Sequence, residues 1–334
     1  MAAITIKDIA HELHFSVSTV SRALQNHPDI SEETKKIITN YAREHHYRPN
    51  QMASSLRTQK VTTIGLILPE LTSYFFSTIL EGVEKAANVA GYNVLIARTK
   101  EDPEHEKQCL QMLDNARVAG IIACPTKRTF DFRPYENMIQ QGVPMVVVDR
   151  YSPLNCDQVI SDDFGGAFQA VEYLIQTGCK RIVMLTTPFS TAAVLERQRG
   201  YKAALEHYNF TYSEQNIHYA DTREEAVREA SAFFAQEQRP DAVFCVNDSI
   251  ADGVIYVAKM MHISIPDELS ICGFSNDIHT RLTDPMQTTV EQYGKRIGKK
   301  AVERLIFRLE EDSPKSDAEQ VVIQTGLRVR ETTH

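Results

Sequence analysis

Residues 5–24 read TIKDIAHELHFSVSTVSRAL and contain two short helical patterns with almost no chain between them. Thr5 and Asp8 have the spacing of an N-terminal capping box, and Ser16 can cap a second helix. Only His14 and Phe15 separate the last apolar residue of the first helical stripe from that second cap. The sequence therefore predicts two helices joined by a turn of about three or four residues, which is helix-turn-helix geometry.

A third helix completes this predicted head. Ser31 can cap it, and four of its residues are predicted to face a shared mini-core, namely Ile37, Ile38, Tyr41 and Ala42. Periodicity alone is equally compatible with a small helical domain that binds nothing.

The outer face of the second helix favours DNA recognition over that alternative. Its residues are small or can form hydrogen bonds, and they are Val17, Ser18, Ser21 and Arg22. In a major groove, an arginine can bind guanine O6 and N7, a hydroxyl can act as donor or acceptor, and a valine suits a thymine methyl group.

The stretch YRPNQMASSLRTQKVT follows the head at residues 47–62. It could form two helical turns after a cap at Asn50, and isolated helices of that length are marginal. Taken alone it is typical of a linker. The alternative is a segment that folds on DNA, with Leu56 as an apolar wedge in the minor groove and Arg57 at a phosphate.

Charge and length separate this head from the rest of the 334-residue chain, which is long enough for two or three domains. Residues 1–60 hold eight Lys or Arg and six acidic residues, so a net charge of +2 lies on the head and −10 on the remainder of a chain with −8 in all. This balance excludes indiscriminate nucleic-acid binding by the whole surface.

Cysteine usage and hydropathy give no sign of a metal site, a cofactor or a membrane span. The six cysteines have no CxxC pair and are predicted to be buried free thiols. No run approaches the roughly 20 apolar residues of a membrane helix, and no export signal precedes the head. We therefore expect a bacterial cytoplasmic protein that is associated with the nucleoid when bound to DNA.

From residue 62 onward, short apolar runs alternate with helical patterns, which predicts an α/β body with parallel sheets covered on both faces. The predicted strands are 64–68, 93–97, 120–124, 144–149, 158–161, 181–185, 242–246, 270–273 and 320–324. The predicted helices are about 75–90, 104–115, 164–177, 191–207, 223–236, 249–262 and 291–310. Because the pattern restarts near Ser161, the body is predicted to have two doubly wound lobes.

Polar and aromatic residues follow several of these strands, where parallel sheets bind their ligands. Carboxylates, amides, arginines and aromatic rings around one cleft suit a polar molecule with several hydroxyl groups, such as a sugar. Single residues are ambiguous, because Asp149 or Asp248 could equally be a helix cap, and a phenylalanine such as Phe75 or Phe76 more often lies in the core than against a ligand.

TIKDIA, STVSR and YRPNQMASSL, in that order and spacing, resemble the head and hinge of the lactose-repressor and galactose-repressor family of bacterial transcription regulators. The resemblance continues through DDFGGAF, RQRGYKAAL and VNDSIADGV and covers nearly the whole chain. It implies a helix-turn-helix head on a body similar to periplasmic sugar-binding proteins. It also implies a homodimer, a pseudo-palindromic double-stranded DNA operator, a carbohydrate-like effector and allosteric control.

The resemblance also implies roles for individual residues. Those expected to read bases are Val17, Ser18 and Arg22, and those expected mainly to contact the DNA backbone are Thr5, Ser16, Thr19, Ser21 and Asn50. Leu56 is the implied hinge wedge, beside Arg57. The implied effector contacts are Tyr74, Phe75, Asp149, Arg197 and Asn247, with Ser275 at a position where many members have an aspartate.

Several positions depart from the family pattern. His14 lies in the turn where glycine is usual, so the turn is expected to be strained if it needs a positive φ. Ser275 removes a carboxylate that would grip ligand hydroxyls, so no particular sugar is implied, and Asn276 or Asp277 could substitute.

The predicted domains are a head at 1–48, a hinge at 49–61 and an effector and dimerisation domain at 62–334. Lobe 1 is expected at about 62–161 plus 291–322, and lobe 2 at about 162–290 plus 323–334. A sugar-handling enzyme or a sugar-binding protein without a DNA role is the alternative. The chain has no GxGxxG, GxxxxGK[ST], HExxH or GxSxG motif, so we expect a regulator, most often a repressor in this family, and no enzyme.

Overall fold

A computed structural model describes residues 4–45, 47, 61–310 and 317–334. The chain divides into two compact units, Met1–Val61 and Thr62–His334. The predicted DNA contacts Asn50, Leu56 and Arg57 lie outside the described residues.

The first unit contains three helices, α1 (Ile6–Glu12), α2 (Val17–Leu24) and α3 (Glu32–Glu44). All three predicted N-caps are confirmed. The Asp8 amide donates to Thr5 Oγ1 over 3.3 Å, and the Thr5 amide donates to the Asp8 carboxylate over 2.8 Å, which completes the capping box. The hydroxyl oxygens of Ser16 and Ser31 accept from the amides of Thr19 and Thr34.

The core of this unit is small and apolar. Ile9, Val20 and Ile38 are fully buried in it, so each helix contributes one of its largest side chains. One predicted core position is wrong, because Ile37 is 46% exposed. Successive helical residues are about 100° apart, so a helix that buries Ile38 turns the side chain of Ile37 toward solvent.

The turn between α1 and α2 has the strain that its sequence indicates. His14 has a φ of +55°, the left-handed region in which a side chain is disfavoured. Its side chain is exposed, so it gains no packing in return.

Replacement of His14 by glycine is expected to stabilise the first unit by about 0.5–1 kcal/mol, since glycine adopts positive φ without a Cβ penalty while adding some unfolded-state entropy. Hydrogen exchange of the amides of α2 and α3 in the full chain measures this change as slower exchange. His14→Ala is the control and should give no protection. Equal exchange in His14→Gly and the wild type would contradict the assignment of strain to this residue.

The second unit contains two six-stranded sheets. The sheet of lobe 1 is parallel, with order β11-β5-β4-β3-β1-β2, and its strands are β1 (Thr63–Leu68), β2 (Asn93–Arg98), β3 (Ile121–Ala123), β4 (Met145–Val148), β5 (Asp157–Ser161) and β11 (Gln320–Ile323). The sheet of lobe 2 has order β12-β10-β9-β8-β6-β7, and its strands are β6 (Ile182–Thr186), β7 (Ile217–Tyr219), β8 (Ala242–Cys245), β9 (Ser270–Phe274), β10 (Thr288–Glu291) and β12 (Gly326–Arg328). Only β12 is antiparallel to its neighbour in the described sheets.

Helices cover both sheets. They are α4 (Tyr74–Val89), α5 (Pro103–Asn115), α6 (Arg133–Gln140), α7 (Asp163–Gln176), α8 (Ala192–His207), α9 (Arg223–Phe234), α10 (Asp248–Met260) and α11 (Gly294–Glu310), with short 3-10 turns at Glu214–Asn216 and Ile278–Arg281. Helices α4 and α11 approach backbone to backbone, because a Cβ on Gly298 would overlap the carbonyl oxygen of Ile79.

The two-lobed α/β architecture is confirmed, and every predicted strand is present. The sequence pattern missed β7, β10, β12 and α6. The three strands have only three or four residues each, and α6 begins with an arginine and a proline, so none of them has the long apolar pattern that identified the others.

The chain crosses between the lobes near Asp162, Gln292 and Thr325. These crossings are hydrogen-bonded to one another. The Gln292 amide donates to Ser161 Oγ over 3.2 Å, and the Thr325 hydroxyl donates to the carbonyl of Asp162 over 3.2 Å. Glu291 pairs in the sheet of lobe 2 and Ile323 pairs in the sheet of lobe 1. The predicted limits assigned each of these two residues to the other lobe, so each limit differs from the strand pairing by one residue.

All six cysteines are buried and free, as predicted. Within the described ranges, no helix is both long and apolar enough to cross a bilayer.

Candidate DNA-binding surface and ligand cleft

Helix α2 presents three of the predicted base contacts to solvent. Val17, Ser18 and Arg22 are all exposed. The Arg22 guanidinium makes no hydrogen bond or ion pair with any residue that the structure describes, so it is available to bind a partner. A flexible cation beside a hydroxyl and a short apolar side chain offers the three kinds of contact that base edges require.

Three of the residues predicted to contact the DNA backbone, Thr5, Ser16 and Thr19, lie at the N-termini of α1 and α2. Ser16 Oγ accepts from the Thr19 amide over 3.0 Å and lies 2.8 Å from the Thr19 hydroxyl, so these exposed groups form one local network with the helix N-terminus. Thr5 is exposed at the N-terminus of α1. Helix N-termini carry partial positive charge, which favours a phosphate nearby.

Ser21 does not lie on the outer face that the sequence predicts for it. Its side chain is only 8% exposed, because α2 turns this position toward the packed side of the unit. The predicted contact of Ser21 with DNA stays a prediction, and the exposed face consists of Val17, Ser18 and Arg22.

The second unit has a cavity of about 470 Å³ between its two lobes, which we call the cleft. Segments that follow β1, β4, β6, β8 and β9 line it, and these are the carboxyl ends of parallel strands. Five of the six predicted effector contacts line it together, namely Phe75, Asp149, Arg197, Asn247 and Ser275.

Tyr74 is the exception. It lines a separate cavity of about 260 Å³ with Ser275, Tyr293 and Arg296. Tyr74 and Phe75 are the first two residues of α4, so their side chains leave the helix about 100° apart and only Phe75 reaches the cleft.

Asp149 presents a carboxylate to the cleft with few protein partners. Its side chain is buried; the carboxylate lies 3.8 Å from Arg150 Nε and accepts from Cys124 Sγ over 3.9 Å. Burial raises the pKa of Asp149, and the guanidinium groups of Arg150 and Arg197 oppose this shift. Its φ of +64° is the left-handed conformation, which aspartate tolerates better than most residues. An incompletely bonded buried carboxylate is a strong acceptor for ligand hydroxyl groups.

Arg197 lines the cleft but is already bonded to protein groups. Its Nε and Nη2 each lie 2.7 Å from the Asp163 carboxylate, and Nη1 donates to the carbonyl of Val246 over 2.6 Å. The guanidinium lies 3.8 Å from the centroid of the Phe274 ring. Burial raises the pKa of Asp163, and Arg197 opposes this shift. The arginine therefore ties α8 to α7 and to the end of β8.

Asn247 and Asp248 have different roles. Asn247 is the N-cap of α10 and accepts the Ile250 amide over 2.9 Å, so its side-chain NH₂ can serve the cleft. Asp248 is buried rather than a cap and accepts from Thr289 Oγ1 over 2.6 Å and from the Asp277 amide over 2.7 Å. Burial raises the pKa of Asp248 to about 6.

The helix-cap alternative does not apply to Asp149, which directly follows strand β4 and precedes no helix.

Ser275 connects the cleft with a crossing between the lobes. Its hydroxyl donates to Gln292 Oε1 over 3.0 Å, and Gln292 in turn donates to Ser161. Of the two candidate replacements for the missing aspartate, Asp277 lines the cleft, whereas Asn276 is buried, accepts from Arg330 over 2.6 Å and lines the smaller cavity.

Ion pairs within and across the lobes were not predicted from the sequence. Lys127 of lobe 1 lies 2.6 Å from the Asp221 carboxylate of lobe 2 and 4.6 Å from the centroid of the Phe189 ring. Arg150 donates to both oxygens of Glu101, over 3.0 and 2.7 Å. Asp221 follows the missed strand β7, so no sequence pattern marked it. Arg150 lies at the end of a predicted strand beside Asp149, and only its pairing with Glu101 was not predicted.

Within the described ranges, no cluster of His, Cys, Asp or Glu side chains has the arrangement to hold a metal ion.

Residues 5–50 match the family model described as bacterial regulatory proteins, lacI family, and residues 171–333 match a periplasmic binding protein-like domain. The ribose operon repressor of Halalkalibacterium halodurans is 32% identical over 330 residues, which are 98% of this chain and 97% of that protein. The chain therefore belongs to the lacI family, a family of regulatory proteins rather than enzymes.

Solved structures show the same fold. The lac repressor dimer bound to operator and the anti-inducer ONPF has a TM-score of 0.88 at 20% identity, with 99% of each chain covered. A periplasmic binding protein/LacI transcriptional regulator from Alkaliphilus metalliredigens QYMF, complexed with D-xylulofuranose, has a TM-score of 0.71 at 27% identity and covers 82% of this chain and 99% of its own.

Proposed function

We propose that this protein is a sequence-specific transcriptional repressor whose operator affinity changes when a small molecule, a sugar or sugar derivative, binds in the cleft. The observation that carries the proposal is the cleft itself, with the incompletely bonded carboxylate of Asp149, the side-chain NH₂ of Asn247 and the ring of Phe75 around one cavity. Aromatic faces and directional hydrogen-bonding groups are what a sugar requires. The exposed face of α2 supplies DNA contacts on the same chain.

The protein acts as a homodimer on a pseudo-palindromic operator, since twofold protein symmetry matches twofold DNA symmetry. An exposed apolar patch of the second unit supports a dimer and consists of Tyr256, Met260, Ile278 and Leu282. Its parts are adjacent, because His279 contacts Asp252 of α10 over 2.8 Å. Exposed apolar residues grouped in this way are typical of interaction surfaces.

Regulation follows from the two-lobed body. A ligand that binds one arrangement of the lobes more tightly than another shifts the population toward it, and by linkage DNA must affect ligand affinity equally. The Ser275–Gln292–Ser161 hydrogen bonds supply a direct connection from the cleft to the crossings between the lobes. The site of action is the bacterial cytoplasm, on the nucleoid.

Selection of DNA from a random pool by the full-length chain tests the DNA-binding part of this function. The expected result is enrichment of an inverted repeat that binds two chains, with roughly 10³-fold or greater preference over random DNA at fixed salt. The salt concentration must be stated, because phosphate contacts make affinity salt-dependent. Enrichment of no sequence, or of a site without twofold symmetry, would contradict the proposal.

A further inference from the structure

We propose that the effector carries no phosphate or carboxylate group, because every described cation that faces the cleft is paired with a protein carboxylate at close range, whereas the buried carboxylate of Asp149 lies 3.8 Å from Arg150 and makes no closer ion pair among the described residues. This inference rests on the proposed function and specifies the chemistry of its effector as an uncharged molecule with several hydroxyl groups.

Three basic side chains of the cleft form close ion pairs. Lys127 Nζ lies 2.6 Å from Asp221, Arg150 Nη2 lies 2.7 Å from Glu101, and Arg197 Nη2 lies 2.7 Å from Asp163. In each pair both side chains are mostly buried. An anionic ligand would have to compete with a carboxylate that is already in place, and the displaced carboxylate would be left partly buried without a partner, which is costly.

His279 is the fourth cation and is also paired. Its imidazole lies 2.8 Å from the Asp252 carboxylate and 2.9 Å from the Asp277 carboxylate. These two carboxylates raise the pKa of His279 to about 10, so the ring is charged near neutral pH and its charge is used by the protein.

Carboxylates outnumber cations among the described residues of the cleft. Six acidic side chains line it, namely Glu70, Glu101, Asp149, Asp221, Asp248 and Asp277, against Lys127, Arg150, Arg197 and His279. An anion that enters this cavity loses its hydration and meets net negative charge, whereas hydroxyl groups can donate to carboxylates in charge-assisted hydrogen bonds. The cleft therefore discriminates against anionic ligands in two ways: its carboxylates repel them, and the same carboxylates form hydrogen bonds with the hydroxyl groups of uncharged ligands.

Calorimetric titration of the full-length chain with matched pairs tests this inference. Each uncharged sugar is compared with its phosphate ester and with its acid, and each nucleoside with its 5′-monophosphate. We expect the uncharged member to bind at least about tenfold more tightly in every pair with measurable binding. Tighter binding of a phosphate or an acid would overturn the inference while leaving a small-molecule effector in place. Binding of no member would remove the effector part of the proposed function and this inference with it.

Asp221→Asn provides a second test, because it releases Lys127 from its ion pair within the cleft. The anionic member of a pair is then expected to gain affinity relative to the uncharged member by about fivefold or more. Asp131→Asn is the matched control, since it breaks an ion pair with Arg133 outside the cleft and should leave the ratio unchanged. An unchanged ratio in Asp221→Asn would contradict the role given to the paired cations.

Discussion

Arg22→Ala is expected to remove most of the discrimination between operator and random DNA while leaving the head folded. The side chain is exposed and unpaired among the described residues, so its loss costs no packing. A bidentate arginine–guanine contact contributes about 1–3 kcal/mol, and a dimer makes it twice, so roughly 2–6 kcal/mol of preference should be lost. Fluorescence anisotropy with selected and random DNA at one salt concentration measures the change.

Lys36→Ala is the matched control for Arg22→Ala. Lys36 is an exposed cation on α3 rather than on α2, so its removal deletes the same charge without touching the proposed base contacts. Any loss of affinity should be similar for both DNAs, since a surface cation away from the base contacts acts on phosphate charge, which carries no sequence information. Equal discrimination in Arg22→Ala and the wild type would refute base recognition by Arg22.

Asp149→Asn is expected to weaken effector binding by about 10- to 100-fold. Charge-assisted hydrogen bonds from ligand hydroxyls to a carboxylate contribute roughly 1.5–3 kcal/mol, and an amide keeps the shape but not the charge. Asparagine also tolerates the positive φ of this position, so the loss can be assigned to the ligand contact rather than to backbone strain. Calorimetry with the effector found by the matched-pair titration measures it.

Glu84→Gln is the control for Asp149→Asn, because it removes one negative charge from the exposed surface of α4 in the same lobe. Its effector affinity should equal that of the wild type. Asp149→Asn should also bind operator as the wild type does when no effector is present. An unchanged effector affinity in Asp149→Asn would remove Asp149 from the ligand site.

Local patterns predicted the head well. Each of the three caps joins a side chain to an amide three residues further along, so the sequence contains the whole interaction. The positions of Ile37 and Ser21 could not be predicted as reliably, because the direction of a helix face relative to its neighbours depends on tertiary packing.

The cleft was predictable where residues follow long apolar strands, as Asp149 and Asn247 do. The Lys127–Asp221 pair was not, because 94 residues separate its members and one of them follows a three-residue strand. The hydrogen-bond partners of Arg197 could not be predicted from the sequence either. The sequence indicated a cleft arginine, but only the fold shows that Asp163 and the Val246 carbonyl occupy its donors.

Operator affinity measured at increasing effector concentration tests the coupling between cleft and DNA most directly. The wild type should change its operator affinity by about 5- to 150-fold at saturation, the usual range of allosteric coupling. The midpoint of this response should match the calorimetric affinity and move to higher concentration in Asp149→Asn. An effector that binds in the cleft yet leaves operator affinity constant would contradict the account.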